Sequence, residues 1–185
     1  MNHTEMLAQA LGLVGLIMNV LSFQQKTKRR LITVQLFGGL SFSLHFLLMQ
    51  APTGCLLNLI SVFRGTVFSN KEKFKADNIL WLPLFFSLFI ASYILSFAVF
   101  DKAITAYNVI IEVLPVIAMI ISTISFRTKN AATVRKLSLV YSPLWLVYDA
   151  MTKSLGGTLC EIMCFISIIV GIIRLDIKKD PNTKK

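Results

Sequence analysis

Seven apolar runs, each close to twenty residues long, follow one another along this chain with only short polar links between them. A helix needs about twenty apolar residues to cross the hydrocarbon core, so seven crossings would occupy about 140 positions. What is left of the 185 residues is loops and a tail, too little for a soluble domain. Inside lipid every backbone N–H and C=O must be paired, which limits a span to a helix or a closed barrel. Barrel strands alternate with period two, whereas these runs are continuously apolar. An all-α integral membrane protein is therefore expected. The composition agrees, with 15% charged residues and fourteen Phe against nine acids, where a soluble domain is about 25% charged.

The predicted spans are 5–24, 31–50, 54–70, 79–100, 104–126, 133–152 and 155–175. The third is short, and the first carries Glu5, Gln9 and Asn19. The basic residues orient them. Lys26, Lys28, Arg29 and Arg30 follow the first span, Lys71, Lys73 and Lys75 the third, and Arg127, Lys129, Arg135 and Lys136 the fifth. The tail adds Lys178, Lys179, Lys184 and Lys185. With Arg64 and Arg174 near the same helix ends, 17 of the 19 Lys and Arg residues fall on one side, against Lys102 and Lys153 on the other. By the positive-inside rule the N-terminus is expected outside and the C-terminus in the cytoplasm of a bacterial inner (plasma) membrane. The net charge of +10 then reflects topology and contact with anionic lipid, not nucleic acid. No cleavable signal peptide is expected, because the first twenty residues lack a basic start and a small-residue cleavage site. Cys55, Cys160 and Cys164 all lie within apolar runs and read as small buried hydrophobes.

An internal repeat is visible when the first three spans are moved onto the last three by 103 positions. Ser22-Phe23 falls on Ser125-Phe126, Lys26 on Lys129, Gly54 on Gly157 and Leu56 on Leu159. Polar residues embedded in apolar runs coincide as well: Gln9 with Glu112, Asn19 with Ser122, His45 with Tyr148, and Asn58 with Glu161. Gly12 falls on Pro115. Both units run the same way through the bilayer, which requires one extra helix between them to reverse the chain. The expected organisation is a first repeat at 1–75, an inverter helix within 76–102, a second repeat at 103–177 and a cytoplasmic tail at 178–185. Such 3+1+3 plans with parallel repeats occur among transporters, with substrate sites between the repeats near the midplane.

The stretch Leu11–Phe68 carries SF-x-x-K-x-K-R-R, L-x-F-x-x-M, P-x-G-x-L-L-N and S-x-x-R. The second half carries E-V-L-P-V-I (112–117), W-L-V-Y-D (145–149) and S-L-G-G-T-x-x-E (154–161). Together these resemble the YgjV family of bacterial inner-membrane proteins across nearly the whole chain. That family is in turn similar to the PQ-loop superfamily, which includes the SWEET sugar uniporters and the KDEL receptors. The resemblance implies seven helices in a SWEET-like 3+1+3 fold around a central solute cavity. SWEET proteins face the sugar with a repeat-related Asn pair, and the matching positions here are Asn58 and Glu161. Of the proline hinges only Pro115 and Pro143 are present, while Gly12 and Leu40 stand at the first-unit positions; a literal PQ dipeptide is absent.

Ionisable groups within lipid need a partner or a wet cavity. Asn108, Glu112, Pro115, Met119 and Ser122 share one face of the fifth helix, and Glu5, Gln9, Gly12, Leu16 and Asn19 repeat that stripe on the first. Two such stripes can line a shared cavity, or glue helices together by hydrogen bonds. At 1.5 Å per residue Glu112 would lie about 12 Å, and Glu161 about 10 Å, below the outer surface. Asp149 is shallower and can pair with Lys153. An outward acidic pocket favours a small polar or cationic solute, or a carboxyl that carries a coupling proton. Trp145 and Tyr148, matched by Phe42 and His45, can stack on a solute or simply pack. Gly54 and Gly156-Gly157 suit tight turns, and Arg64 is expected to snorkel toward the cytoplasm. No nucleophile–base pair or metal constellation is evident, so neither an enzyme nor a cofactor is expected. The expected function is a small-solute transporter, facilitative or proton-linked; the alternative is a non-transporting receptor or partner-binding protein on the same scaffold.

Overall fold

The computed structural model describes residues 3–49, 52–99, 102–152 and 155–178, with the side chains of Pro52, Thr53 and Leu155 outside that description. Seven α-helices account for nearly all of it: α1 (His3–Ser22), α2 (Lys28–Leu48), α3 (Pro52–Ser69), α4 (Trp81–Ala98), α5 (Ala106–Arg127), α6 (Ala131–Met151) and α7 (Leu155–Gly171). A π-helical turn, Ile172–Ile177, continues α7. There is no strand among the described residues. The expected bounds hold to within two or three residues, except at the end of α7, where the π-helical turn takes over.

Local signals set the helix starts. Thr27, Thr105 and Asn130 have extended backbones and accept the amide N–H of Arg30, Asn108 and Thr133 respectively, which supplies one of the donors a helix N-terminus leaves unpaired. Five helices are long and apolar enough to cross a membrane. The other two are α3, which is short, and α6, which carries Arg135, Lys136 and Asp149.

The bundle is apolar on the outside. Leu13, Ile17, Leu44, Ile94, Ile110 and Ile166 are all exposed, while Ser22, Ser43, Ser92, Ser122, Ser138, Ser142 and Ser167 are buried. Lipid in place of water explains this inversion, since apolar surface costs nothing there and polar groups must be paired inside. Ser22, Ser92 and Ser138 turn their hydroxyls onto backbone carbonyls of their own helix, those of Asn19, Leu88 and Val134, while Ser43, Ser142 and Ser167 reach to other helices.

Helix α2 lies between α1 and α3 and packs on both, as α6 does between α5 and α7. The two groups meet where α1 touches α7, α3 touches α5, and α2 touches α6. Helix α4 leans on α5 and α3. Its Trp81, Phe85 and Phe89 stack in a ladder with ring centres 5.9 and 6.5 Å apart, and Phe63, Phe68 and Phe126 fill around it. A second core joins Phe23, just past the end of α1, to Cys160, Cys164 and Ile168 of α7.

Several internal details recur at the 103-residue spacing. The bounds of α2 and α6 coincide at both ends, and α1 and α5, like α3 and α7, share their starts. Ser22 Oγ donates to the Asn19 carbonyl as Ser125 Oγ does to that of Ser122. A Cβ on Gly54 would strike Phe46, and one on Gly157 would strike Asp149.

Candidate functional site

Among the described residues, four clusters built on ionisable groups lie inside this apolar shell. Glu112, on the buried face of α5, is 4% exposed. Its Oε1 pairs with Lys102 Nζ from the α4–α5 link and accepts the Tyr148 hydroxyl of α6 at 3.2 Å. Pro115 lies almost one turn along, and both residues line a narrow crevice with Leu57 of α3 and Ser92, Tyr93 and Ser96 of α4. Lys102 stood in the sequence as a shallow outer base; its long stem instead lets the ammonium reach down to a carboxylate that would otherwise be buried without a counter-charge.

Glu161 of α7 is half-buried and accepts the Ser142 hydroxyl of α6 at 2.8 Å. Asn58 of α3 donates to the Gly54 carbonyl of its own helix at 2.9 Å. The hydrogen bonds of these two residues do not meet: α3 packs on α2, α4 and α5, and α7 on α6 and α1.

The third cluster surrounds Arg64, 6% exposed. Its position near the helix end predicts snorkelling toward the cytoplasm. It lies inside the bundle instead, Nη1 donating to the Met119 carbonyl at 3.2 Å and to Thr123 Oγ1 at 3.1 Å. Its guanidinium lies over Phe126 (4.7 Å) and Phe89 (5.9 Å). The rings and carbonyl substitute for the water that a snorkelling cation would seek.

The fourth cluster closes the basic end. Arg135, only 2% exposed, grips Asp176 with Nε at 2.9 Å and Nη2 at 2.5 Å, and Nη1 donates to the Gln25 carbonyl at 2.9 Å. Arg135 therefore joins the end of α1, the start of α6 and the π-helical turn. Beside it Gln24 donates to the carbonyl and hydroxyl of Ser167, and Ser167 Oγ to the Val20 carbonyl. Arg135 stands among the basic residues after the fifth span, which predicts a loop charge. It shares a helical face with Val134, Ser138, Tyr141 and Ser142, all buried, and that spacing with the lone Asp176 was the available signal.

The remaining expected residues are placed as follows. Gln9 is exposed and Asn19 half-buried, so α1 does not repeat the interior stripe of α5, in which Glu112, Pro115, Met119 and Ser122 are all buried. The difference lies in packing: α1 buries its small residues Ala8, Gly15 and Ser22, seven apart, and leaves its other faces outside. His45 Nδ1 lies 2.7 Å from the Ala8 carbonyl, an approach that Gly12 permits because a Cβ there would come within 3.1 Å of the ring. Trp145 packs against the core with its ring edge-on to Tyr148 at 5.9 Å. Pro143 is half-buried within an uninterrupted α6. Asp149 sits over Gly157; its expected partner Lys153 lies outside the described residues. Cys160 and Cys164 are buried in the α1–α7 core.

Helices with lipid-compatible exteriors and paired polar interiors define a multi-pass integral membrane protein. The chain belongs to the Imp-YgjV family, described as a bacterial inner membrane protein family, whose profile matches residues 6–179. No curated protein and no solved structure matches the chain.

Proposed function

We propose that the protein is a small-solute transporter, facilitative or proton-linked, built from two parallel three-helix units, α1–α3 and α5–α7, with α4 as the inverter. In this reading it shares the SWEET-like plan of the PQ-loop superfamily, with its N-terminus outside and its solute held between the units. The observation that carries the reading is that contacts between the units obey the same 103-residue relation as the helices. Arg64 of α3 meets Thr123 of α5, and Ser167 of α7 meets Val20 of α1. Both residues of the second contact stand 103 positions from their counterparts in the first. A two-fold axis along the membrane normal between the units supplies such a pairing, and transporters of this design bind solute on that axis.

The side-chain hydrogen bonds between the units run from mid-helix to the basic end among the described residues: Arg64–Met119, Gln24–Ser167 and Arg135–Gln25. This supports a conformation closed on the basic side. Opening it would bend the units at Pro115 and Pro143, where the ring removes a helix hydrogen bond. Asn58, Glu161, Glu112, Tyr148 and Trp145 line the proposed path, with His45, Asn19 and Ser122 supporting it; Gln9, exposed on α1, joins it only if α1 turns.

The test is thermal unfolding of detergent-purified protein with a panel of sugars, amines, amino acids, nucleosides and vitamins. A solute that binds only the folded state at 100 times its Kd adds about 2.7 kcal/mol. Such a rise is expected in wild type and is lost in Glu161→Gln, whose melting without solute stays near wild type. An equal rise in Glu161→Gln refutes the assignment of Glu161. Silence of wild type across the panel, with the protein folded, favours a partner-binding membrane protein on the same scaffold.

A further inference from the structure

Among the described residues two ion pairs reach into the bundle, and they are built differently. Arg135 grips Asp176 with two prongs, and the side chains are 2% and 9% exposed. Lys102 meets Glu112 with one ammonium on a flexible stem, and here the two are unequal, at 32% and 4%. A two-pronged guanidinium fixes a geometry, whereas an ammonium is a rotatable point charge that a second ammonium can replace. The α4–α5 link is also held independently of that charge. Lys102 N–H donates to the Ser96 carbonyl at 3.2 Å, and Asn108 Nδ2 to that of Ala103 at 2.8 Å. The Lys102 stem can therefore swing out while the link stays in place.

The carboxylate it covers is placed to take another cation. Lys102 Nζ and the Tyr148 hydroxyl share Glu112 Oε1, so an ammonium there has a carboxylate and a phenol oxygen as acceptors. Glu112 also lines the narrow crevice, where Leu57, Pro115 and Val116 supply apolar wall. A carboxylate so buried is costly without a positive charge. Lys102 can leave when a cationic solute arrives, and a neutral or anionic solute does not meet that condition. The side-chain bonds between the units run toward the basic end. Glu112, in the second turn of α5, lies toward the opposite end, so a solute entering there meets Lys102 first.

We propose that the solute is a small primary amine with a short apolar body, its ammonium held by Glu112 and Tyr148, and that Lys102 is a tethered stand-in which occupies the same place until the solute displaces it. This rests on the transporter reading above and names its substrate class. The stand-in keeps the buried carboxylate neutralised in the empty protein, and it competes with every solute that arrives. A competitor that holds the carboxylate about nine-tenths of the time weakens the solute about tenfold.

The experiment titrates the purified full-length protein with propylamine, benzylamine and phenethylamine, each beside its matched alcohol and carboxylic acid, and with uncharged sugars, and reads calorimetric affinity and melting. Wild type is expected to bind at least one amine in preference to its alcohol and its acid. Lys102→Met should melt lower without amine, bind that amine about tenfold more tightly, and regain its melting temperature when the amine is added. Lys102→Arg, which keeps the charge and adds a second prong, should melt at or above wild type and bind the amine more weakly. Glu112→Gln and Lys102→Met/Glu112→Gln should bind none. A purely structural pair leaves amine affinity the same in wild type and Lys102→Arg, which overturns the proposal even where Lys102→Met does not fold. So does an alcohol or an acid binding as tightly as its amine, or amine binding retained in Glu112→Gln. Binding of a sugar alone overturns the ammonium site and leaves the transporter reading standing. Amine binding in the expected order of variants, without entry of the amine into sealed proteoliposomes, supports the site and removes the transporter reading.

Discussion

Asp176→Ala lowers the stability of the purified protein by about 3–5 kcal/mol, because it strands a buried guanidinium without its counter-charge. The structural basis is the two-pronged contact of Arg135 with Asp176 at the basic end, where Arg135 is 2% exposed and its third nitrogen is already committed to the Gln25 carbonyl. Arg135→Met, which removes the charge with the guanidinium, should cost less, since Asp176 can turn to water at the membrane surface. The double variant Arg135→Met/Asp176→Leu should recover most of the loss, as replacement of a whole buried pair by apolar groups is often neutral or better. Chemical or thermal unfolding of the four proteins in one detergent checks this. A single-variant loss under about 1 kcal/mol would mean that the pair is solvated like a surface bridge.

The second large effect is expected one turn away. A Cβ on Gly171 would lie 2.5 Å from the Phe23 carbonyl oxygen and 3.0 Å from Arg135 Cδ. The oxygen belongs to backbone at the end of α1 and cannot swing aside as a side chain would. Gly171→Ala should therefore push α7 from α1 and cost about 1–3 kcal/mol, the usual range for overpacking, and Gly171→Val more. Gly156 is the control: a Cβ there meets nothing within 4 Å, so Gly156→Ala should leave the melting temperature unchanged or slightly raised. Equal melting of Gly171→Ala and wild type would show that the two helices do not approach so closely.

These two sites illustrate what could and could not be read from the chain. The apolar runs, their polar interruptions and the basic clusters between them made the helices and the membrane setting legible, because in lipid the span length and the backbone pairing rule leave few alternatives. The polar stripe of α5 was legible for the same reason, since Glu112, Pro115, Met119 and Ser122 repeat at helical spacing. Which charges pair was not. Lys102 reaches Glu112 across ten residues, but Arg135 and Asp176 are 41 residues apart and meet only through the packing of α6 beside α7. Arg64 was misplaced because a position near a helix end suggests a snorkelling side chain, whereas Phe89, Phe126 and Thr123 from two other helices hold it inside. The α1 stripe misled for a related reason: matching polarity at repeat-related positions does not decide which face a helix turns inward, and the small residues Ala8, Gly15 and Ser22 did.

The central claim is that a solute crosses the membrane through this bundle between α1–α3 and α5–α7. Its most direct test is uptake by sealed proteoliposomes containing wild type or Glu161→Gln, incubated with a mixed pool of labelled amino acids, amines and sugars and assayed by lumenal content. Wild type is expected to accumulate or equilibrate at least one solute at ten times the rate of empty vesicles, and Glu161→Gln to fall to the empty-vesicle rate while remaining folded in the bilayer. Equal lumenal content in wild-type, variant and empty vesicles, for every solute in the pool, would contradict it.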